Sequence, residues 1–195
     1  MDPINLLIII NLIATTSANW SGARKGLKVS LTKVVEKPKT YLQKLPPNIS
    51  ALILVLIILG IFDLGNLSVK SDEKYQIIRI SGLIVFIIFS WLQVYAFKSL
   101  GNFYTQDIVI LKEHKLIKSG MYKFIRHPQY LCQILSDLGA GVALFNYLIV
   151  PIVVLIELPL FYLRARYEEK LLEKYFKDEF INYKKQSGFF VPFIG

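Results

Sequence analysis

Arg126, His127 and Pro128 stand together where a basic, aromatic stretch (120–130) gives way to an apolar segment. Proline loses nothing as the first residue of a helix, because the amide there has no intrahelical acceptor. The free amides and macrodipole of a helix N-terminus attract anions, and Arg126 and His127 add donors at the same point. The triplet therefore suits a carboxylate or phosphate. The plainer reading is that Arg126 reaches for lipid head groups and His127 caps the helix. A second cluster, Arg164-Ala165-Arg166-Tyr167-Glu168-Glu169, follows the next apolar segment. Its acidic groups can accept hydrogen bonds from ribose hydroxyls or pair with an ammonium; the plainer reading is a solvated helix face. A helical hairpin between the clusters brings both to one membrane face. That arrangement suits a charged cofactor beside a lipid-borne substrate.

The elements that must position these residues are apolar. Of 195 residues, 54% are hydrophobic, more than a soluble domain of this size requires. Five apolar segments stand out: 4–20, 49–64, 77–97, 130–145 and 147–163. A spanning helix needs about 20 residues, with a lower limit near 17. Segment 4–20 is a helix rather than a cleaved leader, because it begins with Asp2 instead of a basic residue. The expected fold is an all-α integral membrane protein of five transmembrane helices. A cytoplasmic loop (98–128) and a C-terminal amphipathic helix (164–185) complete it. Pro38, Pro46 and Pro47 interrupt the basic linker 22–48, so it holds at most a short interfacial helix. The chain reads as one domain, 1–195, with 1–48 a peripheral first helix and linker and 49–195 the core. In the tail, Leu172, Tyr175, Phe176, Phe180 and Tyr183 share one helical face. Glu173–Lys177 and Lys174–Asp178 form i, i+4 pairs opposite.

Of 23 Lys and Arg, 20 fall in the linker, the loop or the tail; Lys70, Lys74 and Arg79 are the remainder. Cytoplasmic loops carry the positive excess, so the N-terminus is expected outside, with the C-terminus and the site in the cytoplasm. The net charge of +9 then favours anionic lipid head groups as neighbours. Basic residues spread along membrane-flanking loops argue against nucleic acid. With one cysteine, Cys132, and two histidines, His114 and His127, no metal centre is expected.

Inside the apolar segments, Tyr130, Gln133 and Asp137 form a polar stripe on one helix face. The stripe either lines a pocket or bonds neighbouring helices, and for Asp137 and Gln93 the bonding role is favoured. Glu157 lies near Pro159, where it can satisfy a freed backbone group. Gly139 and Gly141 allow close helix packing.

The stretch His114-x-Leu116-x-x-x-Gly120-x-Tyr122-x-x-x-Arg126-His127-Pro128-x-Tyr130 is followed by Arg164-x-x-x-Glu168-Glu169, Tyr183-Lys184-Lys185 and a closing Pro192-Phe193-Ile194. Together these resemble the isoprenylcysteine carboxyl methyltransferases, a small prokaryotic, archaeal-type member above all, over 101–195. The resemblance implies S-adenosylmethionine as methyl donor, with S-adenosylhomocysteine as product. It implies that His114, Leu116, Gly120, Tyr122, His127, Tyr130 and Glu169 surround the cofactor. Arg126 and Arg164 are then candidates to hold the acceptor carboxylate, and Glu168 completes the catalytic group. The acceptor would be a prenylated, lipid-like small molecule or peptide reached from the membrane.

The chemistry fits those residue types. A terminal carboxylate has a pKa of about 3.5 and is already ionised at neutral pH, so alignment and exclusion of water suffice. A phospholipid or other lipid N-methyltransferase would instead need a base, for which Glu168, Glu169 or His127 would serve. Two further alternatives are an NADPH-dependent sterol-type reductase and a non-enzymatic membrane scaffold or transport subunit. A pattern related to this motif occurs in the NADPH-dependent sterol reductases, which would bind NADPH and not S-adenosylmethionine; the scaffold reading draws on Asp137 and Glu157 but leaves the two polar clusters unexplained.

Overall fold

The computed structural model describes residues 2–32, 34–68 and 72–194, with the side chains of 21–32 and of 102 outside that description. The greater part of each of the five apolar segments lies in helix. They correspond to α1 (Pro3–Thr32), α2 (Leu45–Ile61), α3 (Gln76–Leu100), α4 (Pro128–Leu144) and the run of α5 (Ile149–Ile152) into α6 (Leu158–Phe176). A short α7 (Asp178–Gln186) follows. Among the described residues, three helical stretches are long and apolar enough to cross a membrane: Pro3–Trp20, Tyr41–Ile61 and Glu73–Leu100. At 17 residues, α4 measures about 25 Å at 1.5 Å per residue.

Among the described residues, helices α3 and α4 form the most extensive pairing. Glycine makes it possible. A Cβ on Gly139 would lie 2.5 Å from the Phe86 amide nitrogen, and one on Gly82 would lie 2.7 Å from that of Ala143. The two backbones therefore touch, as expected for Gly139. Gly141 gives the same clearance toward Ile149 of α5. The core of Ile8, Ile53, Ile57, Phe86, Leu144 and Val153 joins α1, α2, α3, α4 and the α5–α6 run. Between α5 and α6 the chain makes a π turn, Val153–Glu157. Pro159 explains its position: it has no amide to donate, and its ring crowds the carbonyl four residues back.

Four features depart from the sequence reading. First, α1 runs without a break to Thr32, so the first part of the linker is helical. It is also not peripheral: the Asn5 amide donates to Ile61 O at 2.8 Å and Asn11 donates to Ser90 Oγ at 2.8 Å, while Trp91 donates back to Asn11 at 3.0 Å. Second, the fold is not wholly α. Strand β1 (Val34–Glu36) pairs antiparallel with β2 (Ile110–Leu111), linker to loop. Third, the tail is not one helix. Lys177 adopts φ 47°, separating α6 from α7. Glu173 and Lys174 therefore do not make their i, i+4 pairs; Lys184 reaches Glu173 at 3.3 Å and Lys174 reaches Glu36 at 2.9 Å. Tyr175 is exposed, and Leu171 is buried on the inner face instead. Fourth, Glu157 does not serve a freed backbone group; its carboxylate accepts from Ser50 Oγ of α2 at 2.7 Å. Lys70 lies outside the described residues.

Candidate active site

Helix α4 begins at Pro128, as its missing amide predicts, with His127 as the preceding residue. The C-terminal strap holds this start in place. The Arg126 amide donates to Gly188 O at 2.8 Å, and the Gly188 amide donates to Phe124 O at 2.9 Å. Phe189 packs against the His127 ring with centroids 5.0 Å apart. On the other side, α6 presents Arg164 and Glu168 one turn apart on a single face, with Glu169 beside them around the helix.

The two clusters meet there in two linked networks. In the first, Arg126 Nε donates to Glu169 Oε1 at 2.5 Å, and His127 Nε2 lies 3.2 Å from the same oxygen. Arg126 Nη1 also donates to the carbonyls of Ser187 and Lys184. Burial works against the Glu169 charge, but hydrogen bonds from His127 and Arg126 outweigh it and hold the carboxyl below its ordinary range. In the second, the Tyr130 hydroxyl donates to Glu168 Oε1, and Arg164 Nε donates to Tyr130 Oη at 2.8 Å. His127 and Tyr130 lie parallel, 5.8 Å apart, and Tyr130 stacks on Phe161 at 4.8 Å.

A cleft opens against these networks. Of the ten residues singled out by sequence, His114, Leu116, Tyr122, Arg126, His127, Tyr130 and Glu168 line it. The other three stand behind. Glu169 is 3% exposed and braces Arg126 and His127 from the far side. Gly120, at φ 60°, forms the turn that presents Tyr122 and packs near Tyr95 and Ser99 of α3. Arg164 is 3% exposed, and protein groups engage all three of its guanidinium nitrogens. Nη1 donates to Leu42 O at 3.1 Å and Gln43 O at 3.4 Å, and Nη2 donates to Gln106 O at 2.5 Å.

His114 sits between the rings of Phe103 and Phe176, and burial lowers its pKa below 6.5. Tyr183 donates to Tyr122 O at 2.5 Å; burial pushes its own pKa up to about 12, so it remains a hydroxyl. Sequence reasoning did not single out Thr105, Asp107 or Gln129 of the cleft lining, and gave Phe180 only as part of the tail's apolar face. Gln129 occupies an unspecified position between Pro128 and Tyr130 of the motif, and Asp107 carries no local pattern. The stripe on α4 divides: Tyr130 lines the cleft, while Gln93 of α3 donates to Gln133, which donates to Asp137 of its own helix at 2.7 Å. Among the described residues, no group of three or more His, Cys, Asp or Glu is placed to hold a metal ion.

Comparison with known proteins bears on this geometry. Residues 82–174 match the Isoprenylcysteine carboxyl methyltransferase (ICMT) family, a segment that carries both halves of the site. The chain is 31% identical over 121 residues to the protein-S-isoprenylcysteine O-methyltransferase of Saccharomyces cerevisiae, covering 61% of this chain and 51% of that one. It is 32% identical over 124 residues to a probable protein-S-isoprenylcysteine O-methyltransferase of Oryza sativa subsp. japonica, covering 63% and 65%. The matched part thus spans about half of the yeast relative and under two thirds of the rice one. The fold is that of the solved eukaryotic intramembrane Ras methyltransferase, isoprenylcysteine carboxyl methyltransferase, with a TM-score of 0.67 and 21% identity over 100% of this chain and 69% of that one. Among the described residues, three helical stretches are long and apolar enough to cross a membrane, as a protein of that fold would need. Arg126, His127, Tyr130, Arg164, Glu168 and Glu169 all fall within the matched family segment; the Gly188–Phe189 strap and Gln43 do not.

Proposed function

We propose that the chain transfers a methyl group from S-adenosylmethionine to the α-carboxylate of an isoprenylcysteine-like, membrane-associated acceptor, giving a methyl ester. The observation that carries this reading is the convergence of Arg126, His127 and Tyr130 from the start of α4 with Glu168 and Glu169 of α6 at one cleft. The relatives' names supply the acceptor class. The topology follows from charge: five spans, the N-terminus outside, and the cleft with its basic surroundings at the cytoplasmic face.

The donor set fits the cofactor. The cleft offers carboxylates at Asp107 and Glu168 for hydroxyls and a sulfonium charge. It also offers a cationic edge at Arg126 and Lys115, and aromatic or apolar walls at Phe103, Tyr122, Leu116 and Phe180. His114, Leu116, Gly120, Tyr122, His127, Tyr130 and Glu169 would hold the cofactor, Glu169 through Arg126 and His127. When bound, S-adenosylmethionine supplies an electrophilic methyl group. The chain's own task is placement. A carboxylate with a pKa of about 3.5 needs no base, so no residue has to remove a proton. Arg126 borders the cleft, held by Glu169 and the Ser187 and Lys184 carbonyls, and would attract the acceptor carboxylate by its fixed positive charge. Arg164 would act through Tyr130 and Glu168, holding the hydroxyl and carboxylate that face the cleft. The stacked His127, Tyr130 and Phe161 rings exclude water from the reacting end.

The test uses purified protein, methyl-labelled S-adenosylmethionine and a simple S-prenylated cysteine, followed by alkaline treatment of the product. Label released by alkali establishes carboxyl methylation. Alkali-resistant label would mean N-methylation, and absence of both transfer and cofactor binding would overturn the reading.

A further inference from the structure

The cleft wall 105–109 has no helix to stiffen it, yet Ile108 and Val109 are buried and line the cleft with Thr105 and Asp107. What holds the wall comes from the linker. The Gln43 side chain pairs with Ile108 on both sides: its amide donates to Ile108 O at 2.8 Å, and its oxygen accepts from the Ile108 amide at 2.8 Å. The same amide group donates to Pro38 O at 3.1 Å, which fixes the linker against the pair. Around this point the linker grips the wall four more times. Val34 and Glu36 pair with Leu111 and Ile110, and Lys37 bonds Asp107 at 2.6 Å. Arg164 Nη1 takes the Leu42 and Gln43 carbonyls while Nη2 takes that of Gln106. Leu42, Ile108, Ile110 and Leu171 form a small core of their own beneath.

We propose that Gln43 is a positioning residue for the cofactor cleft, and that the linker 34–43 is a structural part of the site. This rests on the cofactor reading above. Gln43 lies outside the matched family segment, so the site of this chain is incomplete without a piece that the segment does not contain. The geometry requires glutamine in particular. One primary amide supplies the donor and the acceptor that the C=O and N–H of this buried residue need. Losing one of them leaves a buried backbone group unpaired, worth about tenfold or more in an equilibrium.

The test is Gln43→Glu in the full-length protein. This variant keeps the volume and the acceptor for the Ile108 amide, but turns a carboxylate oxygen toward the Ile108 and Pro38 carbonyls. Two readouts are taken: the dissociation constant for S-adenosylmethionine by calorimetry, and hydrogen exchange of 105–111 without ligand. The expected result is about tenfold weaker binding and faster exchange of the Ile108 amide, with the thermal unfolding midpoint close to wild type. The ratio of variant to wild-type affinity should recover as the pH falls and the new carboxyl regains a proton to donate. Gln43→Ala should weaken binding without that recovery. Unchanged affinity despite faster exchange would overturn the proposal, as would unchanged exchange or a loss of affinity explained by global unfolding. If wild-type protein binds no S-adenosylmethionine, the enzyme reading fails, while exchange at Ile108 still reports whether Gln43 holds the wall.

Discussion

The two ends of the helix bundle both bury arginine, and they use it differently. At the end away from the cleft, Arg79 is 2% exposed; its Nε donates to Ala143 O at 3.0 Å and its Nη2 pairs with Asp2. Those partners are helix ends, so Arg79 ties the start of α1 and the end of α4 to α3. At the other end, Arg126 and Arg164 also bond carbonyls, but each shares a carboxylate with a residue that lines the cleft: Glu169 with His127, and Glu168 with Tyr130. A buried arginine is thus no mark of function by itself. What distinguishes the site end is that its carboxylates are held in common with groups facing open space.

The comparison is broken most severely by Arg164→Ala. It strands Glu168 and the carbonyls of Leu42, Gln43 and Gln106, which protein groups now satisfy. Removing one member of a buried ionic network costs about 3–5 kcal/mol. Both the unfolding midpoint and turnover should fall sharply; a variant that unfolds like wild type would show that Arg164 does not clamp the linker and loop.

Glu169→Gln is milder and more specific. The amide keeps an oxygen for Arg126 or His127 but loses the charge, and charge-assisted bonds of this kind contribute about 1.5–3 kcal/mol. Cofactor affinity should weaken about tenfold to a hundredfold, with His127→Ala behaving alike. Equal affinity in both variants and wild type would remove Glu169 and His127 from the cofactor site.

Arg79→Met sharpens the contrast from the far end. It should lower stability by about 2 kcal/mol, because the Ala143 carbonyl and Asp2 lose a partner. The KM values for both substrates should stay at wild type, since Arg79 does not line the cleft. A raised KM would mean that the two ends are coupled through α3 and α4.

The same division governs what the sequence discloses. Apolar runs predict α1 to α4 because a helix that crosses hydrocarbon must stay apolar over about 20 residues. Pro128 predicts where α4 starts, and Gly139 predicts close packing against α3. The meeting of Arg126 and His127 with Glu168 and Glu169 follows from a hairpin between two clusters that flank apolar segments. The cap of the site is less legible, because much of it is built on backbone atoms. Gln43 and Arg164 bind carbonyls, which have no identity in a sequence, and β1–β2 is too short to leave an alternating pattern. The break at Lys177 is hidden for a related reason: a lysine at φ 47° has no signature, unlike glycine.

The smallest expected effect is pH-dependent and lies in the cap. His114 Nδ1 accepts from the Leu111 amide at 3.4 Å, while Phe103 and Phe176 bury the ring, so the folded state favours the neutral imidazole. Its folded pKa lies below the ordinary 6.5. Below pH 6.5 the unfolded chain therefore binds the proton first, and stability falls with pH until the folded pKa is passed. Above pH 6.5 the contribution is fully present. Glu169 acts in the same direction at lower pH, since its depressed carboxyl pKa gives stability that is lost as the pH drops through it. The two are separable, because His114→Phe removes only the limb just below pH 6.5 and keeps the aromatic packing. Unfolding midpoints measured across that window should fall for wild type and stay level for His114→Phe. Parallel curves would assign the acid limb to carboxylates alone and leave His114 as packing.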